Sequence, residues 1–275
     1  MLIETASAAG GNIDIMFLRQ RGDDPFISTP ERTAQIDEVA SRIARFISEA
    51  HSTLDIAIYD FRLHDEAAAI IANALRERAT NNVVIRIIYD ATTEPDGDIV
   101  PTASPAHLEA DKKVPGTETF VRSFAEIAQI KGVTGYRVLM HSKYLVRDGD
   151  TDDAAVFLGS ANYTNDSWGL QENNLLQLRS RPLAAYFSKN FTDLLAAGRI
   201  AERPAVRDVD AIRVADVPVN VAFAPEQSPA IIKEIVGAIT TARHRLLVAS
   251  VVLSSGPILR VVRSHRPGHV VRRYL

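Results

Sequence analysis

Cysteine is absent from the 275 residues. Disulfides, thiolate nucleophiles and cysteine-ligated zinc are excluded together, and redox chemistry says nothing about compartment. Long hydrophobic runs are missing too: no stretch approaches the roughly 18 consecutive apolar residues of a membrane span. The opening MLIETASAAGGNIDIMFLRQ lacks a basic start followed by an apolar core. No signal peptide is therefore expected, and the expected location is the cytoplasm. Neither sign of charge dominates. Lys and Arg total 31 against 34 Asp and Glu, a net charge of −3. That balance excludes a chain-wide basic surface of the nucleic-acid-binding kind but leaves room for a local basic groove. His51, His64, His107 and His244 show no paired metal spacing. A GxSxG nucleophile elbow and a GxxxxGK[ST] phosphate loop are also missing.

What is present is a globular chain with 46% apolar residues, enough to bury a core. Ile36, Val39, Ile43, Phe46, Ile47 and Ala50 recur at helical spacing, predicting a helix over 34–50. Leu54–Phe61 reads as a buried strand, Glu66–Ala79 as a second helix and Val83–Tyr89 as a β-branched strand. Strands alternating with helices indicate βαβ units and a largely parallel sheet. Residues 91–119 are rich in Pro and Gly and read as a long loop, a length often tied to function. Tyr136–Val146 and Ala154–Leu158 are two further predicted strands, and a helix is predicted over Leu183–Ala197.

Residues 198–218 read as a connector, after which the pattern restarts. TPERTAQIDEVASRIARFISEAHSTLDIAIYDF is echoed by APEQSPAIIKEIVGAITTARHRLLVASVVL. Ile43 matches Ile235, Ile47 matches Ile239, Ala50 matches Ala242 and Ala57 matches Ala249, all at one constant offset. Recurrence of a helix-then-strand unit suggests a duplicated domain, although any amphipathic helix before a buried strand has some of this likeness. The expected organisation is a first half over 1–200, a linker over 201–220 and an incomplete second half over 221–275. The tail VRSHRPGHVVRRYL reads as a truncated or frame-altered end, or as a natural basic tail.

The chemistry is concentrated in YRVLMHSKYLVRD and the segment that follows. Alternation along a strand would put His141, Lys143 and Leu145 on one side. A His and a Lys within an apolar strand are costly unless an anion sits there. The next apolar strand, AAVFL, runs into Gly159-Ser160-Ala161-Asn162. Gly159 would permit close backbone approach. The Ser160 hydroxyl and the Asn162 amide can bind phosphate oxygens without adding negative charge. A nucleophile, a cation and two neutral donors at one sheet edge suit attack on a phosphodiester.

This pattern, HxKxxxxD followed by GSxN, resembles the motif of the phospholipase D superfamily: His141, Lys143, Asp148, then Gly159, Ser160 and Asn162. The spacer from Asp148 to Gly159 is a few residues longer than the usual pattern. NDSWGLQENN also resembles members that carry an acid shortly after the turn. Glu172 matches that acid, with Asn173 and Asn174 competing for the place by a one-residue shift. The resemblance implies an α/β/α sandwich, complete over about 26–200 and partial over 221–262. It implies a phosphohistidine mechanism with His141 as nucleophile, Lys143, Ser160 and Asn162 on the phosphate oxygens, Glu172 orienting the imidazole and Asp148 mainly holding the motif loop. Asp148 can also be read as a turn former, Asn162 as a helix cap and Trp168 as packing. No metal or organic cofactor is implied.

The expected activity is that of a phosphodiesterase that hydrolyses or transfers phosphatidyl groups, with a phospholipid or other phosphodiester as substrate. The family's site draws one motif from each of two halves, and this sequence holds one. A homodimer would bring two copies of His141 together. A nuclease of the same superfamily is the second expectation, opposed by the net charge and the partial repeat. A remnant that only binds phosphate esters or a partner is the third.

Overall fold

The computed structural model describes residues 3–91, 116–135, 138–200, 210–250, 253, 256–264 and 271–274. Most of the predicted 91–119 loop, the start of the predicted Tyr136–Val146 strand, part of the 198–218 connector and much of the basic tail lie outside them. The chain divides into two compact units, one of residues 1–94, 112–200 and 212–219, the other of 95–111, 201–211 and 220–275.

The first unit is built on an eight-stranded mixed sheet. Its strands are β1 (Glu4–Ala8), β2 (Ile13–Leu18), β3 (Thr53–Ile58), β5 (Val84–Asp90), β6 (Ala128–Val133), β7 (Lys143–Arg147), β8 (Ala155–Gly159) and β10 (Asn173–Arg179). Short β4 (Phe61–Arg62) and β9 (Tyr163–Thr164) pair with each other. The sheet order is β1-β2-β10-β8-β7-β3-β5-β6. Helices α1 (Pro30–Ser48), α2 (Asp65–Thr80), α3 (Thr117–Arg122), α4 (Asn165–Gly169) and α5 (Arg181–Ala197) complete the unit.

The α/β/α sandwich with a mixed sheet is as expected. Its parallel part is confined to β3, β5 and β6, where the sequence expectation was a largely parallel sheet. The reason is connection length. β3 reaches β5 through α2, and a helical crossover permits parallel strands. β7 and β8 are joined by a short turn, which only antiparallel neighbours allow.

Both faces of the centre are covered, so β3 is buried nearly throughout. On one face Leu54, Ile56 and Ile58 join Val39, Ile43, Phe46 and Ile47 of α1 in the main core. On the other, Asp55 is sealed by Arg86, whose guanidinium donates at 2.6 and 2.7 Å and stacks 5.2 Å from the Phe191 ring of α5. A forked, charge-assisted pair of this kind satisfies a carboxylate inside a sheet. Helix α1 starts where Thr29 accepts the Arg32 N–H and Pro30 occupies the first turn. Helix α5 starts at Ser180, which accepts from Leu183 N–H, and ends at Gly198 in the left-handed region with φ 67°.

The second unit repeats the helix-strand rhythm on a smaller scale. Helix α6 (Ser228–Thr241) precedes β13 (Leu246–Ala249), and α7 (Gly256–Ser264) precedes β14 (Val271–Tyr274). β13 and β14 pair in parallel. A two-stranded sheet of β11 (Asp210–Val214) and β12 (Val217–Val221) lies at the boundary of the two units in sequence.

Candidate active site

One end of the main sheet collects the polar residues. β3 and β5 reach it with their carboxyl ends, β8 likewise, and β7 and β10 begin there. Register aligns Ile58 with Lys143, Tyr144 with Leu158, and Gly159 with Leu175. The residues that follow or precede this row therefore share one rim. They are Tyr59 and Asp60 after β3, Asp90 closing β5, His141 before β7, Ser160 after β8 and Asn173 opening β10. Ligand sites in α/β sheets characteristically sit outside strand ends of this kind.

Strand β7 starts at Lys143, so His141 precedes the strand instead of lying within it. Its backbone is fixed from both sides. Met140 N–H donates to the buried Asp90 carboxylate at 2.8 Å, and Tyr59 N–H donates to Ser142 O at 2.8 Å. His141 is exposed, and its ring meets Tyr59 edge-on with centroids 4.5 Å apart.

Lys143 is half-buried beside it, donating to His141 O at 3.2 Å and lying 5.2 Å from the Tyr59 ring centroid. Burial lowers its amine to about 8, and the nearby Asp60 charge opposes that fall. Asp60 is itself pushed up by burial and drawn back by Arg62, by the Thr117 hydroxyl and by Lys143. Arg62 lies 3.1 Å and Thr117 3.0 Å from its Oδ1. The Tyr59 phenol is raised by burial, then by Asp90 and Asp60.

Gly159 has no room for a side chain: a Cβ there would lie 2.2 Å from Asn174 O and 2.9 Å from Leu175 Cα. This close approach of β8 and β10 seats Ser160. Its N–H donates to Asn174 O at 3.0 Å, its Oγ accepts the Asn174 N–H at 3.0 Å, and it donates to Asn173 Oδ1 at 2.8 Å. Asn162 is held through its N–H by Ser167 Oγ at 2.9 Å, while its buried Oδ1 has no partner among the described residues. Trp168 is fully buried, edge-on to Tyr163 at 5.6 Å, which is the packing role expected of it.

Two expected residues stand apart from this group. Asp148 closes the other end of β7, where it receives the N–H groups of His51, Ser52 and Thr53 and the Ser52 hydroxyl at 2.6–3.1 Å. Burial alone would raise its carboxyl, but these donors bring it below its ordinary value. It anchors the α1–β3 turn and lies at the end of β7 away from the rim. Glu172 is exposed and, among the described residues, accepts only a 3.4 Å contact from Gln20 N–H. Alternation at the start of β10 turns Asn173, not Glu172, toward Ser160.

Tyr59, Asp60 and Asp90 are the rim residues that sequence reasoning missed, while Asn173 was already a competitor of Glu172 there. The available signal was that Tyr59-Asp60 and Asp90 each end an apolar strand run in polar residues. Among the described residues no group of three or more His, Asp or Glu gathers to hold a metal. Also among them, no helix is long and apolar enough to cross a membrane. Chemically, the rim offers an exposed imidazole, a partly desolvated ammonium, a hydroxyl and an amide, a set suited to a tetrahedral oxyanion.

A family model described as cardiolipin synthase, PLD-like domain, matches residues 43–195. The chain belongs to the phospholipase D-like family. Members of that family are phosphodiesterases and phosphotransferases. Among solved structures, phosphatidylserine synthase from Haemophilus influenzae is 11% identical with a TM-score of 0.61, covering 98% of this chain and 63% of that one. NucT from Helicobacter pylori is 18% identical with a TM-score of 0.40, over 67% of this chain and 96% of its own. Nuc from Salmonella typhimurium, titled a phospholipase D family member, is 14% identical with a TM-score of 0.43, over 67% and 93%. A search of curated protein sequences finds no match. The likeness to the phosphatidylserine synthase structure shows a shared fold.

Proposed function

We propose that the chain is a phosphodiesterase of the phospholipase D type that hydrolyses or transfers phosphatidyl groups through a phosphohistidine at His141. The observation that carries the reading is the shared rim: exposed His141 beside partly buried Lys143, with Ser160 on the adjoining strand end. A neutral imidazole nitrogen attacks phosphorus and forms a P–N bond as the bond to the leaving alcohol breaks. Water or a second alcohol then attacks phosphorus, breaks the P–N bond and restores the imidazole. Lys143, Ser160 and Asn162 hold the non-bridging oxygens as charge shifts onto them. Asp148 and Asp90 act by fixing the backbone on either side of β7. The description of the matching family favours a phosphatidyl substrate, and the net charge of −3 weighs against nucleic acid.

The leaving alkoxide must take up a proton. The sequence holds one HxKxxxxD, and a homodimer with two facing copies of His141 supplies the second imidazole as general acid. Cleavage of bis(p-nitrophenyl)phosphate tests the chemistry; activity that survives His141→Ala rejects the phosphohistidine. Parallel assays on phosphatidylcholine vesicles and plasmid DNA test the substrate, and cleavage of DNA alone rejects the phosphatidyl reading. Mass measurement in solution tests the dimer, which a strict monomer rules out.

A further inference from the structure

Tyr59 belongs to no motif, yet it touches both functional side chains on the rim. Its ring meets the His141 imidazole edge-on at 4.5 Å between centroids. The same ring has Lys143 Nζ 5.2 Å from its centroid. Its N–H donates to the carbonyl of Ser142, the residue between the two. An edge-to-face contact favours particular ring orientations, and an ammonium over an aromatic face is attracted by the ring quadrupole, more so when desolvated. Among the described residues the Tyr59 hydroxyl has no hydrogen-bond partner, so the ring face and edge carry these contacts.

We propose that Tyr59 is a positioning residue whose ring sets the angle of the His141 imidazole and holds the Lys143 ammonium beside it. Nucleophile and phosphate-binding cation then reach the substrate as one unit. The proposal deepens the phosphodiesterase reading and rests on it. The other groups around Lys143 are Asp60, which carries Arg62 and Thr117 as partners, and the His141 carbonyl; Asp90 and Asp60 face Tyr59. All of these remain when Tyr59 alone is replaced, so a change in Lys143 titration reports on the ring.

The test uses the full chain with Tyr59→Phe and with Tyr59→Met, which keeps bulk without a π face. Lys143 is titrated by its Cε carbon resonance, and kcat and KM are measured on bis(p-nitrophenyl)phosphate. Tyr59→Phe should leave the Lys143 midpoint near 8 and keep most of the rate. Tyr59→Met should lower the midpoint by about half a unit to a unit and reduce kcat about tenfold with KM little changed. Should Tyr59→Met fail to fold, Tyr59→Leu carries the same expectation. An unchanged or raised midpoint in the non-aromatic variant overturns the proposal, as does a Phe variant that behaves like Met. Activity surviving His141→Ala rejects the phosphohistidine reading instead, and the Lys143 titration still decides the role of the ring.

Discussion

The two ends of β7, five residues apart, treat charge in opposite ways. At the Asp148 end one carboxylate collects three backbone N–H groups and a hydroxyl at 2.6–3.1 Å. At the Lys143 end one ammonium has a carbonyl at 3.2 Å and a ring face. A lysine ammonium has three donors, so the second end retains hydrogen-bonding capacity that the first has used up. Saturation suits an anchor and unspent capacity suits the ligand role proposed for Lys143, although HxKxxxxD presents both ends as one motif.

The sharpest way to break this comparison is to exchange the consequences. Lys143→Met should cut diester turnover by on the order of 10²–10³-fold, the scale of losing one oxyanion-stabilising donor, with little change in the denaturation midpoint. A large loss of stability with retained turnover would place the anchor at the wrong end. Asp148→Ala should do the reverse, removing about 3 kcal/mol of stability by leaving several buried N–H groups unpaired, read by urea unfolding. KM of the folded fraction should hardly move.

The pH dependences should also diverge. Rates that need protonated Lys143 should fall about tenfold per unit above pH 8, from the amine lowered to about 8. The Asp148 carboxyl is held below its ordinary value, so its stability contribution is present above the unfolded value. That contribution is lost as pH falls through the lower folded value, below about 4. Unfolding of wild type and Asp148→Asn between pH 6 and 3 reads this directly, the variant losing less on acidification. The smallest effect separates neighbours on β10: Glu172→Gln should change turnover less than about twofold, while Asn173→Ala should cost roughly tenfold through loss of the Ser160 partner. Equal losses would restore Glu172 to the site.

Much of this site was legible because its residue types are expensive in their setting. A His and a Lys beside an apolar strand, then Gly-Ser-x-Asn after another, point to the rim in the sequence itself. Apolar periodicity marked α1, α2, α5, β3 and β5 in the sequence, and the sandwich was what the family resemblance implied. What escaped reading depended on contacts remote in sequence. Whether Glu172 or Asn173 faces Ser160 is set by the pairing of β10 with β8, and a one-residue shift reverses the faces of a strand. β1 lies exposed along its length and has no burial pattern to betray it. Tyr59 and Asp90 acquire meaning only when β3 and β5 are laid beside β7.

The Asp148 clamp has a kinetic side. Its carboxylate joins His51 across 97 positions of chain, and β3 must pair with β7 before either functional residue is aligned. Contacts of such sequence separation are slow to form, since the loop entropy is spent before the contacts reward it. The site should therefore mature late in folding. An excised peptide over residues 138–164 would hold every motif residue and none of their arrangement.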